Sequence, residues 1–169
     1  MLVRECTQRG TPLMLFNRYV RGAQAGAVCC DNVAGGQLVA DMLIKAGHRR
    51  LAYIAGKHNT STNVDRARGF SERLHELEYG PFLREPGEYT YESGYAAAQR
   101  LLERDDPPDA IFCANDITAL GAIDAARDLG VVIPDELSIV GFDDIPAASW
   151  TAPARSVWRS WMRPSSCGG

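Results

Sequence analysis

A chain of 169 residues has room for one domain, or for one large domain together with part of a second. Its formal net charge of −3 leaves no overall basic footprint for nucleic acid. The sequence holds no run of about 18 apolar residues, so it predicts no membrane span. The opening residues, Met1 to Cys6, lack the apolar segment of an export signal, and we therefore predict a cytoplasmic protein.

The five cysteines argue against both a disulfide framework and a zinc site. Their number is odd, and they do not occur in pairs with metal-ligand spacing. Cys29 and Cys30 are adjacent, so on a strand their side chains point to opposite faces. Cys113 lies inside an apolar run, where a free cysteine behaves as a small buried hydrophobe. We predict that the protein holds no metal and no cofactor.

Strand-like and helix-like segments alternate along the chain. The predicted strands are short apolar runs at residues 12–16, 26–30, 51–55 and 110–114, and a further one that includes Ile139 and Val140. The predicted helices have an apolar stripe and cover residues 33–46, 64–77, 95–102 and 117–129, while residues 79–91 form a loop-rich segment with one short strand. This alternation is typical of βαβ units and predicts a mainly parallel sheet.

Helical spacing also predicts which residues of two helices face the core. The helix over residues 33–46 shows helical spacing of Val33, Leu38, Met42 and Leu43, with Ala46 near the inner face. In the helix that follows Asp116, the stripe consists of Ile117, Leu120, Ile123 and either Ala126 or Arg127.

Polar pairs stand at the ends of two predicted strands. Asp143 and Asp144 follow one apolar run, and Asn115 and Asp116 follow another. In open α/β sheets ligands bind beyond the carboxyl ends of the strands, and carboxylates accept bonds from hydroxyl or amino groups. We predict that Asp116 caps the following helix, which leaves Asn115 free to face a ligand. An aspartate pair alone more often caps a helix, so the two strand ends together favour a site.

Residues 154–169 break the pattern, with two tryptophans, three arginines and no period. We predict an irregular tail, because such a segment offers little to bury in order. Its basic and aromatic mixture also fits a strip that binds nucleic acid, which is the weaker interpretation. A shift of reading frame near Pro153 would produce so abrupt a change, and translation of the source DNA in the other two frames tests that hypothesis.

Several motifs gain weight from their order and spacing, although each is weak alone. They are Gly10-Thr-Pro12 with Leu15-Phe-Asn-Arg18, Asp31-Asn32, Ala46-Gly-His-Arg-Arg50, Leu51-Ala-Tyr-Ile-Ala-Gly56, Arg66-Ala-Arg-Gly-Phe70, Glu92-Ser-Gly-Tyr95, Ala114-Asn-Asp116, Pro134-Asp-Glu-Leu-Ser138 and Val140-Gly-Phe-Asp-Asp144. From about residue 7 to residue 153, the chain resembles the effector-binding domain of the lactose-repressor/galactose-repressor (LacI/GalR) family of bacterial transcription regulators.

The resemblance implies an α/β, periplasmic-binding-protein-like fold with two lobes, parallel sheets and a ligand cleft between the lobes. One lobe is expected to be nearly complete and the other partial. Residues 1–31 would form a remnant of the amino-terminal lobe, and residues 32–153 the carboxy-terminal effector-binding lobe. The family's helix-turn-helix is missing from the motifs, so the chain is interpreted as truncated at both ends.

The resemblance also assigns residues to the cleft. Asp143 matches an aspartate that accepts bonds from the effector, Arg66 an arginine that donates to it, and Tyr89 an aromatic that stacks on it. Two of them have a simpler interpretation: Arg66 would also fit as a solvated residue near a helix start, and Tyr89 as a loop residue. The full set of predicted ligand-binding residues is Asp143, Arg66, Asn115, Tyr89, Asn17, Arg18 and Thr62.

The favoured function is that of an effector-sensing domain that binds a sugar or a similar polar metabolite and is not an enzyme. The resemblance implies a homodimer for the full-length parent, DNA binding only through the missing amino-terminal domain, and no membrane partner. One alternative is a periplasmic-type sugar receptor, and another is an α/β enzyme that uses Asp143 and Asp144 as an acid/base or Mg²⁺ pair. A third alternative is a non-functional fragment of a regulator, whose uncovered apolar faces would be exposed.

Overall fold

The computed structural model describes residues 2–23 and 25–146. Its helices are α1 (Leu2–Gln8), α2 (Asn32–Lys45), α3 (Ser61–Glu76), α4 (Tyr91–Leu102) and α5 (Asp116–Asp128). Its strands are β1 (Met14–Phe16), β2 (Gly26–Val28), β3 (Leu51–Ile54), β4 (Leu83–Glu85), β5 (Ala110–Cys113) and β6 (Ser138–Val140). The predicted alternation is confirmed, and α1 is an element that the pattern did not indicate. The tail predicted for residues 154–169 lies outside the described residues.

The described strands form two separate sheets, and every strand pair in them is parallel, which confirms the α/β prediction. One sheet has the order β4-β3-β5-β6, and the other consists of β1 and β2. Leu51 of β3 lies opposite Ala110 of β5, and Ala110 lies opposite Ser138 of β6. Because these three strands start in register and are short, their carboxyl ends meet at one edge of the sheet.

Helices cover both faces of the four-stranded sheet. On one face, α2 and α3 pack against Tyr53 and Phe112, and the ring centroids of Phe70 and Phe112 lie 5.2 Å apart. On the other face, α4 and α5 pack against Ile54 and Ile111. The two faces alternate along each strand because successive side chains point to opposite sides.

Each helix pair approaches closely at glycines. A Cβ atom on Gly69 of α3 would lie 2.0 Å from the carbonyl oxygen of Val33 in α2, and one on Gly36 would lie 2.3 Å from that of Arg66. In the other pair, a Cβ atom on Gly121 of α5 would lie 2.1 Å from the carbonyl oxygen of Tyr91. Backbone therefore packs directly against backbone in both helix layers.

This close approach overturns part of two predicted helix stripes, in which Leu43 and Ala126 are buried as predicted but other members are not. In α5, Ile117, Leu120 and Ile123 are only half-buried, and the buried face consists of small residues, as in Ala119, Gly121, Ala122, Ala125 and Ala126. In α2, Leu38 is 67% exposed, whereas Val39 and Leu43 are buried. A helical period is recognised chiefly from large apolar residues, whereas in these helices small residues face the neighbouring helix.

Candidate ligand-binding site

Arg66 of α3 is fixed by groups from three different elements. Its Nε donates to Asn32 Oδ1 of α2 over 2.9 Å, and its Nη2 donates to Asp143 Oδ1 over 2.8 Å. Its Nη1 donates to the carbonyl oxygen of Ala114, at the end of β5. The side chain is 4% exposed. A planar guanidinium with donors in a rigid fork is thereby held in one orientation at the carboxyl edge of the sheet.

Phe142 packs on the guanidinium of Arg66. The Cζ atom of Arg66 lies 3.6 Å from the centre of the Phe142 ring, which is the geometry of a cation–π contact. Gly35 of α2 lies close to the same ring, because a Cβ atom there would be 2.6 Å from two ring atoms. The ring and the helix thus shield the arginine from water and keep its bonds strong.

The carboxylate of Asp143 lies at the carboxyl edge of the sheet and is partly exposed to solvent. Its Oδ1 pairs with Arg66, and its side chain remains 44% exposed. The backbone is left-handed at Asp143, with φ of 104°, and at Asp144, with φ of 54°. Non-glycine residues adopt this region rarely, and such strain is concentrated at ligand sites. An exposed carboxylate with a fixed partner can accept a bond from a hydroxyl or amino group.

Tyr89 forms a second corner of the site with hydroxyl groups of the α3 start. Its hydroxyl lies 2.9 Å from Thr62 Oγ1 and 3.0 Å from Thr60 Oγ1. Its ring lies against Gly56, where a Cβ atom would be 2.1 Å from the ring. Tyr89 also has a left-handed backbone, with φ of 65°. The corner therefore combines an aromatic face with a cluster of hydroxyls that can donate or accept.

A buried hydrogen-bond chain supports the position of Gly56 under Tyr89. Asn63 Oδ1 accepts from the hydroxyl of Tyr53 over 3.0 Å and from the backbone N–H of Gly56 over 2.8 Å. Burial raises the pKa of Tyr53, so this hydroxyl stays protonated and donates. The loop between β3 and α3 is thereby tied to the core of the sheet.

The segment between β1 and β2 reaches this corner. The Cζ atom of Arg18 lies 5.4 Å from the centre of the Tyr89 ring. Asn17 is exposed and left-handed, with φ of 68°, and its backbone N–H donates to the carbonyl oxygen of Val28. Arg18 is therefore brought to the predicted site, whereas the described contact of Asn17 belongs to the two-stranded sheet.

Asn115, and not Asp116 as the sequence predicts, caps α5. The side chain of Asn115 caps α5, because its Oδ1 accepts from the backbone N–H of Thr118 over 3.0 Å and from the Thr118 hydroxyl. Asp116 does not cap the helix and instead accepts from the backbone N–H of Ile145 over 2.8 Å. Asn115 stays next to the site through its neighbour Ala114, but its oxygen is not free for a ligand.

Two residues that contact Arg66 are absent from the set of predicted site residues. Asn32 is buried and orients Arg66, and Phe142 covers it. Both occur within recognised motifs, namely Asp31-Asn32 and Val140-Gly-Phe-Asp-Asp144. A signal was therefore present, since each lies at a strand end or a helix start near the predicted edge.

In the part of the chain that the structure describes, buried polar side-chain atoms are bonded within the protein. Within residues 2–23 and 25–146, no buried side-chain nitrogen or oxygen lacks a hydrogen-bond partner. Over the same residues, no group of three or more His, Cys, Asp or Glu side chains is arranged to hold a metal ion. The groups that remain accessible to a ligand are the partly exposed ones at the carboxyl edge of the sheet, above all the carboxylate of Asp143.

None of the described helices combines the length and the apolar character that a membrane crossing requires.

Sequence comparison relates the chain to transcription regulators. It is 34% identical over 147 residues to the HTH-type transcriptional regulator AscG of Escherichia coli, covering 86% of this chain and 44% of that protein. It is 38% identical over 132 residues to the HTH-type transcriptional regulator CelR of Thermobifida fusca, covering 77% of this chain and 39% of that protein. The chain thus spans less than half the length of these curated relatives.

Structure comparison agrees. A solved complex described as transcriptional regulator CelR with cellobiose superimposes with a TM-score of 0.82 and 33% identity, over 89% of this chain and 47% of that chain. The sequence pattern of the periplasmic binding protein-like domain matches residues 40–162. A solved sugar-binding transcriptional regulator of the LacI family from Escherichia coli superimposes with a TM-score of 0.79 and 32% identity, over 90% of this chain and 57% of that chain. The resemblance predicted from the motifs is confirmed: the chain belongs to the periplasmic binding protein-like domain family, as it occurs in LacI-family regulators.

Proposed function

We propose that this chain is the effector-sensing part of a LacI-family transcription regulator and binds a sugar or a metabolite of similar polarity. The observation that carries the proposal is the Arg66–Asp143 pair, which is fixed at the carboxyl edge of a parallel sheet and leaves a carboxylate exposed. Ligands of open α/β sheets bind at this edge. The cellobiose complex of a similar regulator supports a sugar as the ligand class.

The chemistry of the two corners suits a polyhydroxylated ring. Neighbouring hydroxyls of a sugar donate and accept at once, and Asp143 can accept from two of them. Tyr89 supplies an aromatic face for the C–H side of the ring, while Thr62 supplies a hydroxyl beside it. Arg66 acts chiefly as the anchor of Asp143, since three of its five N–H groups already have protein partners.

In the parent protein, effector binding would shift the population between lobe arrangements and so change the geometry of a homodimer. Residues 1–31 would belong to the amino-terminal lobe and residues 32–153 to the carboxy-terminal lobe. A helix-turn-helix domain outside these 169 residues would bind DNA, and we expect no operator binding by this chain alone. A cytoplasmic location and the lack of an enzymatic activity follow from the same proposal, as the named relatives are regulators.

A thermal-shift screen of the full chain against cellobiose, other sugars, sugar phosphates and nucleobases tests the proposal. A ligand at about 100 times its Kd stabilises a protein by about 2.7 kcal/mol, which is roughly 5–10 °C in Tm at this size. Asp143→Ala should abolish the shift, and Asp135→Ala, an exposed aspartate before β6, should retain it. A shift that survives Asp143→Ala would contradict the proposed site. Operator binding by the chain would contradict the proposal that a domain outside these residues binds DNA.

A further inference from the structure

Asp116 is a buried carboxylate that the ligand-binding groups described above do not include. It is 6% exposed and stands at the first position of α5. Charged side chains are almost never fully buried unless they are paired, and Asp116 forms no ion pair among the described residues. Its partners are backbone groups of the segment that follows β6, residues 141–145.

Three observations connect Asp116 with this segment. Its Oδ2 accepts from the backbone N–H of Ile145 over 2.8 Å, and its own backbone N–H donates to the carbonyl oxygen of Phe142 over 2.9 Å. Its Oδ1 lies so close to Gly141 that a Cβ atom there would be 2.1 Å away. The carboxylate therefore contacts both ends of the turn, and the middle of that turn is Asp143.

The turn needs such a restraint. Asp143 and Asp144 are consecutive non-glycine residues with positive φ. Such a conformation persists only when surrounding contacts hold the backbone in place. Within this strained turn, Asp143 must keep its carboxylate against Arg66 and Phe142 must keep its ring on the same guanidinium. A relaxed turn would lose both contacts together.

We propose that Asp116 is a positioning residue that holds residues 141–145 in the strained turn and thereby orients Asp143 and Phe142 on Arg66. The importance of this role for an effector rests on the proposed function, because Asp143 is the proposed ligand contact. The orientation itself does not depend on any effector, so it can be tested without one.

The surroundings of Asp116 are unfavourable for a carboxylate, which distinguishes its role from simple stabilisation of the fold. Burial raises its pKa, and the negative charges of Asp143 and Asp144 raise it further, although the N–H groups of Ile145 and Phe142 lower it in part. A group whose pKa is raised by folding stabilises the protein at low pH and loses that contribution as pH rises through the raised pKa. Folding therefore disfavours the charged form of Asp116 relative to the unfolded chain.

Asp116→Asn separates the two roles, because it keeps the shape but leaves one acceptor oxygen where the carboxylate has two, so that an NH2 group faces the N–H of either Ile145 or Phe142. The readout is the NMR signal of the Arg66 Nε–H group, which is bonded to Asn32 and lies against the Phe142 ring. Its absence in Arg66→Lys identifies it. We expect Asp116→Asn to keep the Tm within a few degrees, to move this signal and to raise its exchange rate with water at least tenfold. Asp128→Asn, on an exposed position of the same helix, should leave it unchanged.

A second variant perturbs the same contact from the other side. Gly141→Ala pushes a methyl group against Asp116 Oδ1, so the Arg66 signal should move in this variant as well. An unchanged Arg66 signal in either folded variant would overturn the proposal. Since no effector is present, that result would stand apart from a failed effector screen, which concerns the proposed function alone.

Discussion

The two sheets of the protein are built from similar apolar runs but are covered very differently. In the four-stranded sheet, every residue of β3 and β5 is buried. In the two-stranded sheet, Met14, Phe16 and Val28 are 66%, 83% and 55% exposed. An apolar run therefore predicts a strand, whereas the cover of that strand depends on helices supplied elsewhere in the chain. For β1 and β2, the described residues provide little such cover.

Replacing one phenylalanine in each sheet tests this difference and gives the largest expected effect. Phe112 is fully buried between Tyr53 and Phe70, with ring centroids 5.1 and 5.2 Å away. Phe112→Ala should lower the free energy of unfolding by about 3–5 kcal/mol, because it removes apolar contacts and leaves a cavity. Phe16→Ala should change it by less than about 0.5 kcal/mol, as the ring is already in water. Urea unfolding followed by circular dichroism measures both.

A similar loss in the two variants would contradict the comparison. It would indicate that Phe16 is covered in solution, and the oligomeric state of the chain would then be the next measurement.

The glycine contacts between helices give the next effect. Gly69→Ala should cost about 1–3 kcal/mol, since the added methyl group meets the Val33 carbonyl and the helices must separate. This loss exceeds the gain in helix propensity, which is about 1 kcal/mol. Gly80→Ala is the matched control, because nothing lies within 4 Å of a Cβ atom there. Stabilisation by Gly69→Ala would show that the helix pair accepts the methyl group and that the close approach is not required.

Much of this arrangement could be predicted from the sequence, and the site more readily than the packing. The strand ends predict Asp143 at the sheet edge, and the resemblance to the family adds Arg66, Tyr89 and Thr62; the structure pairs Arg66 with Asp143 and Tyr89 with Thr62. Parallel strands in register bring such positions together whatever the details between them. Their roles toward a ligand stay predictions until the effector is identified.

The remaining features depend on distances that a linear pattern does not contain. Whether Asn115 or Asp116 caps α5 is decided by the position of the β6 turn, which offers the N–H of Ile145 to Asp116. The inner face of α5 is decided by how closely α4 approaches, so small residues are buried in preference to large ones. In both cases the deciding group is distant in sequence.

The smallest expected effect concerns the contact that joins the two sheets. Tyr19, between β1 and β2, donates its hydroxyl to Asp65 Oδ2 of α3 over 2.7 Å, and its backbone N–H donates to Ser61 Oγ over 2.9 Å. Tyr19→Phe removes the first bond, which is worth about 0.5–1.5 kcal/mol, and leaves the ring in place. Asp65 keeps its ion pairs with Arg68 over 3.3 Å and with Arg21 of the same segment over 3.9 Å. The four-stranded sheet should therefore stay folded while the segment around Arg18 loosens.

Limited proteolysis detects this local loosening, because trypsin cleaves after Arg18 and Arg21 more readily when the segment leaves α3. Loss of about 0.5–1.5 kcal/mol should increase cleavage at these two sites by roughly two- to tenfold, with an unchanged Tm of the main transition. Tyr91→Phe is the control, since it removes an exposed hydroxyl bond to Asp124 and should not alter the rate. Equal cleavage of Tyr19→Phe and Tyr91→Phe would mean that Tyr19 does not hold the two sheets together, and the position of Arg18 over Tyr89 would then need another cause.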